Sequence, residues 1–175
     1  MKHTLATLIF LFSTIILADS QFLVGGSFGQ FKNNSTIDSN DLQNAYEAKI
    51  GFKEEQGIFA LAYTYAEEQE SKDPDIKERY SSLLVLLEGL TEPQKFIGSM
   101  KAQLLLGVHG GLLFGSVNGE EKENFIYGLQ GGAYFPMGKM FAVEMIYRYS
   151  LTDMKYDIVQ IKNIQQLNLG VSFTF

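Results

Sequence analysis

The 175-residue sequence contains no cysteine and no tryptophan, and only three prolines. Without cysteine there is neither a disulfide framework nor the lipid-carrying thiol of a bacterial lipoprotein. Two histidines and no thiol also leave too few soft donors for a transition-metal cluster. Basic residues are scarce as well: 14 Lys and Arg stand against 20 Asp and Glu, and the net charge of -6 argues against a nucleic-acid partner. Long apolar runs are missing beyond the N-terminal segment, so no later segment could cross a bilayer as a helix, which needs roughly 20 apolar residues. No proline- or serine-rich linker and no repeat period divides the remainder, which reads as one domain.

What is present begins at the N-terminus. Lys2 precedes an apolar stretch from Leu5 to Leu17, followed by the triplet Ala18, Asp19, Ser20. The stretch is about 13 residues, too short to span a hydrocarbon core. Its layout is that of a secretory signal peptide. We expect residues 1–20 to be a signal peptide removed after Ser20, with Ala18 as a second possible cleavage point, and residues 21–175 to form the mature domain.

Along that domain the ruling pattern is alternation with period two, which puts every second side chain on one face of a strand. Leu167, Leu169, Val171, Phe173 and Phe175 fall on one face, and Gln166, Asn168, Gly170, Ser172 and Thr174 on the other. Phe141, Val143, Met145, Tyr147 and Tyr149 likewise oppose Ala142, Glu144, Ile146, Arg148 and Ser150. The rule recurs around Tyr46 to Phe52 and Phe59 to Tyr65, and more loosely around Leu104 to Phe114 and Phe125 to Phe135. Segments 22–31 and 79–88 complete the set. Their facing is ambiguous, because the first is glycine-rich and the second is apolar throughout from Leu83 to Leu87.

Large apolar residues on the outer face and polar ones within suit a chain whose solvent is lipid outside and whose lumen is polar. The expected fold is therefore all-β: an antiparallel up-and-down transmembrane β-barrel of about eight strands. Connection lengths fit. Longer loops around Asn33 to Asn44, Glu67 to Glu78, Ser116 to Asn124 and Leu151 to Asn163 alternate with shorter turns at Lys53 to Gly57, Thr91 to Ser99 and Pro136 to Lys139. Phe125 and Phe135, or Phe141 and Tyr149, are spaced to sit in two aromatic girdles about 20 to 25 Å apart.

The leader, the alternating last strand and the terminal Phe175 together resemble the OmpA/OmpX-type small outer-membrane β-barrel family. That resemblance implies residence in the outer membrane of a Gram-negative bacterium, among outer-membrane lipid and lipopolysaccharide. It further implies that Leu167, Leu169, Val171, Phe173 and Phe175 form the signal read by the barrel-assembly machinery. A monomer is expected, and with no further domain after Phe175 the resemblance does not imply peptidoglycan anchoring.

One scaffold hosts many activities, so sites need their own argument. Charges at membrane depth survive only when shielded and paired. Glu47, Lys49, Glu144 and Arg148, with His109 and Gln130, are therefore expected to build a polar network in the lumen. Glu144 is expected to pair with Arg148 or Lys49. The interior of an eight-stranded barrel is just wide enough for side chains to fill, so these groups read as a plug ahead of an ion path. His109, the one histidine of the mature segment, lies in a glycine-rich run with no serine near it in sequence and no metal-binding companion. No catalytic residue, metal or cofactor is expected.

Acidic stretches with Glu67, Glu68, Glu70, Asp73 and Asp75, and with Glu120, Glu121 and Glu123, read as solvated outer loops. They could take a divalent cation or a surface ligand. Asn33 and Asn34 both match N-x-[ST], which in a bacterial surface loop reads as chance. The functional expectation is a non-enzymatic outer-membrane protein serving envelope integrity or surface interaction through its loops. A narrow pore and a lipid-modifying barrel enzyme are its rivals. A soluble lipocalin-like carrier stands behind both, because the large residues point outward.

Overall fold

The computed structural model describes residues 20–35, 42–70, 77–157 and 160–175. The expected signal peptide and residues Asp73 and Asp75 lie outside the described residues. The described chain forms nine strands: β1 (Gln21–Ser35), β2 (Gln43–Lys53), β3 (Gly57–Glu70), β4 (Lys77–Leu90), β5 (Gln94–Ile97), β6 (Met100–Val117), β7 (Glu120–Pro136), β8 (Phe141–Lys155) and β9 (Gln160–Thr174). Every pairing is antiparallel. The order β4-β3-β2-β1-β9-β8-β7-β6 is closed by β4 against β6, giving an eight-stranded barrel. Closure leaves the wall without an open sheet edge of the kind that invites aggregation.

Alternation sets the facing. In β9, Leu167, Leu169, Val171 and Phe173 are exposed while Asn168, Gly170, Ser172 and Thr174 are buried. In β8, Ala142, Glu144, Ile146, Arg148 and Ser150 are buried between outward neighbours. The two ambiguous segments are resolved too. Phe22, Val24 and Phe28 look outward with Leu23 and Phe31 inside, and Leu83, Val85 and Leu87 look outward with Leu84, Leu86 and Glu88 inside. Parity explains the second: Glu88 cannot face lipid, so Leu84 and Leu86 must share the lumen with it.

An apolar wall of this extent would be an aggregation hazard in water, yet here it forms one continuous belt. Leu104, Leu106, Leu129 and Leu169 are all more than 60% exposed on it. Phe22 packs on Phe52 and Phe141 on Phe173 near the end that carries both termini of the described barrel, Gln21 and Phe175, with ring centroids 6.0 and 5.3 Å apart. Phe28 packs on Tyr46 and Phe125 on Tyr127 near the other end, at 5.4 and 6.0 Å. These are the two girdles. The outward tyrosines Tyr46, Tyr63, Tyr65, Tyr127, Tyr147 and Tyr149 gather at the end away from the termini, where hydroxyls find partners such as Glu67 for Tyr46 and Gln165 for Tyr147.

The loops depart from expectation. The span Ser116 to Asn124 is no loop: β6 runs to Val117, β7 starts at Glu120, and only Asn118 and Gly119 connect them. Both have positive φ, 50° and 83°, the geometry of a tight hairpin whose twist matches its strands. Asn118 also ties the turn to β4, its N–H donating to the Lys77 carbonyl at 3.0 Å and its Oδ1 accepting from the Lys77 N–H at 2.9 Å. Glu120, Glu121 and Glu123 are thus strand residues, as are Glu67, Glu68 and Glu70 on β3. Asn33 and Asn34 lie within β1. The long-loop reading fails because strands outrun the apolar band, and periodicity fades once both faces are polar. In the Thr91 to Ser99 turn the short strand β5 folds back on β6.

Candidate functional site in the barrel lumen

Five strands deliver the expected network residues and Glu88 to the middle of the lumen. β2 contributes Glu47 and Lys49, β4 Glu88, and β8 Glu144 and Arg148, while β6 and β7 add His109 and Gln130; all are buried. Arg148 is the hub. Its Nη1 donates to Glu47 Oε2 at 2.6 Å and its Nε to Gln130 Oε1 at 2.9 Å. Gln130 passes the chain on, its Nε2 donating to Glu88 Oε1 at 2.5 Å. Thr64 Oγ1 donates to Glu47 at 2.9 Å. Lys49 Nζ donates to Glu144 Oε2 at 2.5 Å and lies 3.9 Å from Glu88. From the expected alternatives, Glu144 therefore takes Lys49, and Arg148 takes Glu47. Charge-assisted bonds are the strong kind, and each buried charge needs its partner.

Sequence reasoning missed Glu88 as a network member, along with Thr64, Gln166 and Asn168. Gln166 accepts from Arg148 Nη1 at 3.4 Å and donates to Asn168 at 3.0 Å. Glu88 had a signal: it is the one charge in the membrane-depth part of its strand, which fixes it inward. Its inclusion leaves three carboxylates, Glu47, Glu88 and Glu144, against two cations, Lys49 and Arg148.

His109 does gain a serine that sequence proximity hid. Its Nε2 lies 2.8 Å from Ser150 Oγ on β8. No third group orients the histidine, since His109 Nδ1 is buried with no hydrogen-bond partner. A nucleophilic serine needs its histidine oriented by a third group. Among the described residues no cluster of His, Asp and Glu could hold a metal ion.

Apolar layers close the lumen above and below this network. Toward the termini lie Leu23, Ile58, Leu90 and Leu105, all buried. Toward the far end Phe31 stacks on Tyr80 at 5.6 Å, alongside buried Leu113, Ile126, Met154 and Ile164. Tyr80 and Asn33 both donate to Glu78 Oε2, at 3.0 and 2.7 Å, while its Oε1 is buried with no hydrogen-bond partner. A Cβ at Gly111 would run into the Leu83 carbonyl, and one at Gly115 into the Tyr156 hydroxyl, so glycines are what let strands and lumen residues close up here. The cavity beside the central charges, lined by Ser27, Glu47, Lys49, Glu144 and Asn168, measures about 10 Å³. That is about the room of one water.

Several acidic residues of the far end make local contacts. Glu67 accepts from Asn44 at 3.0 Å and from Tyr46 at 2.9 Å, and Glu120 pairs with Lys122 at 2.7 Å. Asp153 accepts from Gln160 at 2.7 Å and pairs with Lys155 at 3.1 Å, which holds its carboxyl below the usual range.

A closed eight-stranded barrel with a lipid-facing belt, two aromatic girdles and a polar plug is the fold of the small outer-membrane β-barrel proteins. Comparison with solved structures agrees. The chain is similar to Neisserial surface protein A, with a TM-score of 0.69 and 19% identity over 88% of this chain and 97% of that one. It is also similar to outer membrane protein H of P. aeruginosa, with a TM-score of 0.53 and 20% identity over 89% of this chain and 99% of that one. A major outer membrane protein from Thermus thermophilus aligns with a TM-score of 0.53 and 10% identity over 89% of this chain and 99% of that one. No protein-family model matches the chain, and no curated protein matches it.

Proposed function

We propose that the protein is a monomeric, non-conducting and non-enzymatic barrel of the bacterial outer membrane that serves envelope integrity or surface interaction through its outer segments. The observation that carries this reading is the filled lumen. A charge network held between two apolar layers, with a cavity of only about 10 Å³ beside its central charges, supports neither a path for a hydrated ion nor room for a substrate. With the start of β1 and the end of β9 on the periplasmic side, the turns Lys53–Gly57 and Pro136–Phe141 and the β5 hairpin face the periplasm, and the tyrosine-rich girdle and the Asn118–Gly119 turn face outward. Outer-membrane lipid and lipopolysaccharide are then the surroundings of the belt, and β9 with Phe175 is what the barrel-assembly machinery would read.

Planar-bilayer recording tests the reading. The purified barrel is expected to give no discrete conductance, whereas reproducible single-channel steps that vanish on disrupting the barrel would replace the plug by a pore. Lipopolysaccharide acyl chains should keep the same mass spectrum with and without the protein, since a shift would establish a lipid-modifying enzyme.

A further inference from the structure

At the end that carries the termini, β5 is unlike the rest of the wall: all four of its residues are exposed. It folds back on β6 through Gly98, whose φ of 59° suits a glycine. Phe96 and Ile97 are 58% and 69% exposed. Phe96 nevertheless has a definite place, its ring centroid 5.6 Å from that of Phe135 at the end of β7. The turn that follows Phe135 adds Met137 and Met140, each at least half exposed. The apolar surface of the barrel thus continues past the girdle onto the hairpin and its neighbouring turn.

The charges on β5, on the part of β6 opposite it and in that turn are all positive, with the carboxylates of Glu55 and Glu92 lining the groove beside Lys101. Lys95 and Lys101 stand directly opposite each other in the β5–β6 ladder. Like charges in that relation destabilise a strand pair unless something neutralises them. Lys139 occupies the turn between Met137 and Met140. Among the described residues no carboxylate forms an ion pair with any of the three, Glu92 at the foot of the hairpin included; the ion pairs found all lie in the lumen or at the far end. An apolar surface continuous with the lipid-facing belt, edged by lysines that form no ion pair, complements an amphiphile with acyl chains and an anionic head.

We infer that the β5 hairpin and the β7–β8 turn form a docking surface for anionic phospholipid in the periplasmic leaflet. Phe96, Ile97, Met137 and Met140 enter the acyl boundary, and Lys95, Lys101 and Lys139 hold the phosphate. This rests on the outer-membrane reading above.

The absence of tryptophan makes the test direct. Phe96→Trp is reconstituted into phosphatidylcholine vesicles containing phosphatidylglycerol, and quenching is compared when one lipid or the other carries brominated chains. Val108→Trp, in the middle of the lipid-facing wall, reports on the barrel itself. Trp at 96 is expected to be quenched more by brominated phosphatidylglycerol, corresponding to a local enrichment of roughly fivefold or more. The preference should fall to about one when Lys95, Lys101 and Lys139 are all changed to Gln, and Trp at 108 should show none. Emission of a water-exposed indole at 96, as for a surface kept free for a periplasmic protein, would overturn the inference. So would equal quenching by the two lipids, or a preference that survives loss of the lysines. Unquenched Trp at 108 would instead overturn the transmembrane barrel reading.

Discussion

Arg148 Nη1 lies 2.6 Å from Glu47 Oε2, joining residues 101 apart in sequence across the lumen. Both side chains are almost wholly buried. Replacing Arg148 by Met strands the Glu47 carboxylate in the interior. The expected loss is about 3 to 5 kcal/mol. Urea unfolding in detergent micelles, followed by heat-modifiable migration on a gel, measures it. The double variant Arg148→Met with Glu47→Leu should recover much of that loss, because a neutral pair leaves no unpaired charge. Unchanged stability in the single variant would remove Arg148 from its central place.

Glu88 and Glu144 should respond differently to the same change. Glu144 is the close partner of Lys49, whereas Glu88 lies 3.9 Å from that ammonium and is the third carboxylate facing two cations. Glu88→Gln, which keeps the shape and can still meet Gln130, is expected to be neutral or stabilising. Glu144→Gln should cost on the order of 2 kcal/mol or more by removing the ion pair from a buried lysine. Equilibrium unfolding of the two variants side by side decides it, and equal losses would contradict the pairing.

The hairpin at Asn118 and Gly119 depends on positive φ at both positions. Gly119→Val forces a β-branched residue into the left-handed region, at a cost of about 1 to 2 kcal/mol. The effect should be local: amide exchange at the outer ends of β6 and β7 accelerates while the lumen network keeps its protection. Protection lost uniformly would mean that this turn holds the whole barrel.

Asp153 supplies a pH dependence. Its carboxyl is held below its ordinary value of 3.8 by the Gln160 hydrogen bond first and by Lys155 next. A depressed carboxylate stabilises above its unfolded pKa, and the contribution disappears as pH falls through the folded one. The β8–β9 hairpin should therefore loosen only in acid, below the usual aspartate range. A carboxyl-carbon NMR titration reads this directly, and Asp153→Asn should abolish the acid-dependent change in amide exchange at Gln160.

Legibility in the sequence followed period. Where one face meets lipid and the other a polar lumen, as in Phe141 to Ser150 or Gln166 to Phe175, alternation gave both strand and facing. In the stretch from Leu83 to Leu87 both faces are apolar, and the alternation vanished although Glu88 held the answer. Beyond the girdles polar residues outnumber apolar ones on both faces, so the strand ends at Ser116 to Asn124 look like a loop in sequence, even though Asn118-Gly119 is itself a hairpin signal.

The sequence by itself determined the membrane-barrel fold, its outward belt and the list of charges that had to turn inward, because lipid imposes one rule on every residue of the wall. Only the tertiary structure decided which charges meet. Lys49 with Glu144, Arg148 with Glu47, and His109 with Ser150 depend on how closure staggers strands that are far apart in the chain, and no local pattern encodes that stagger.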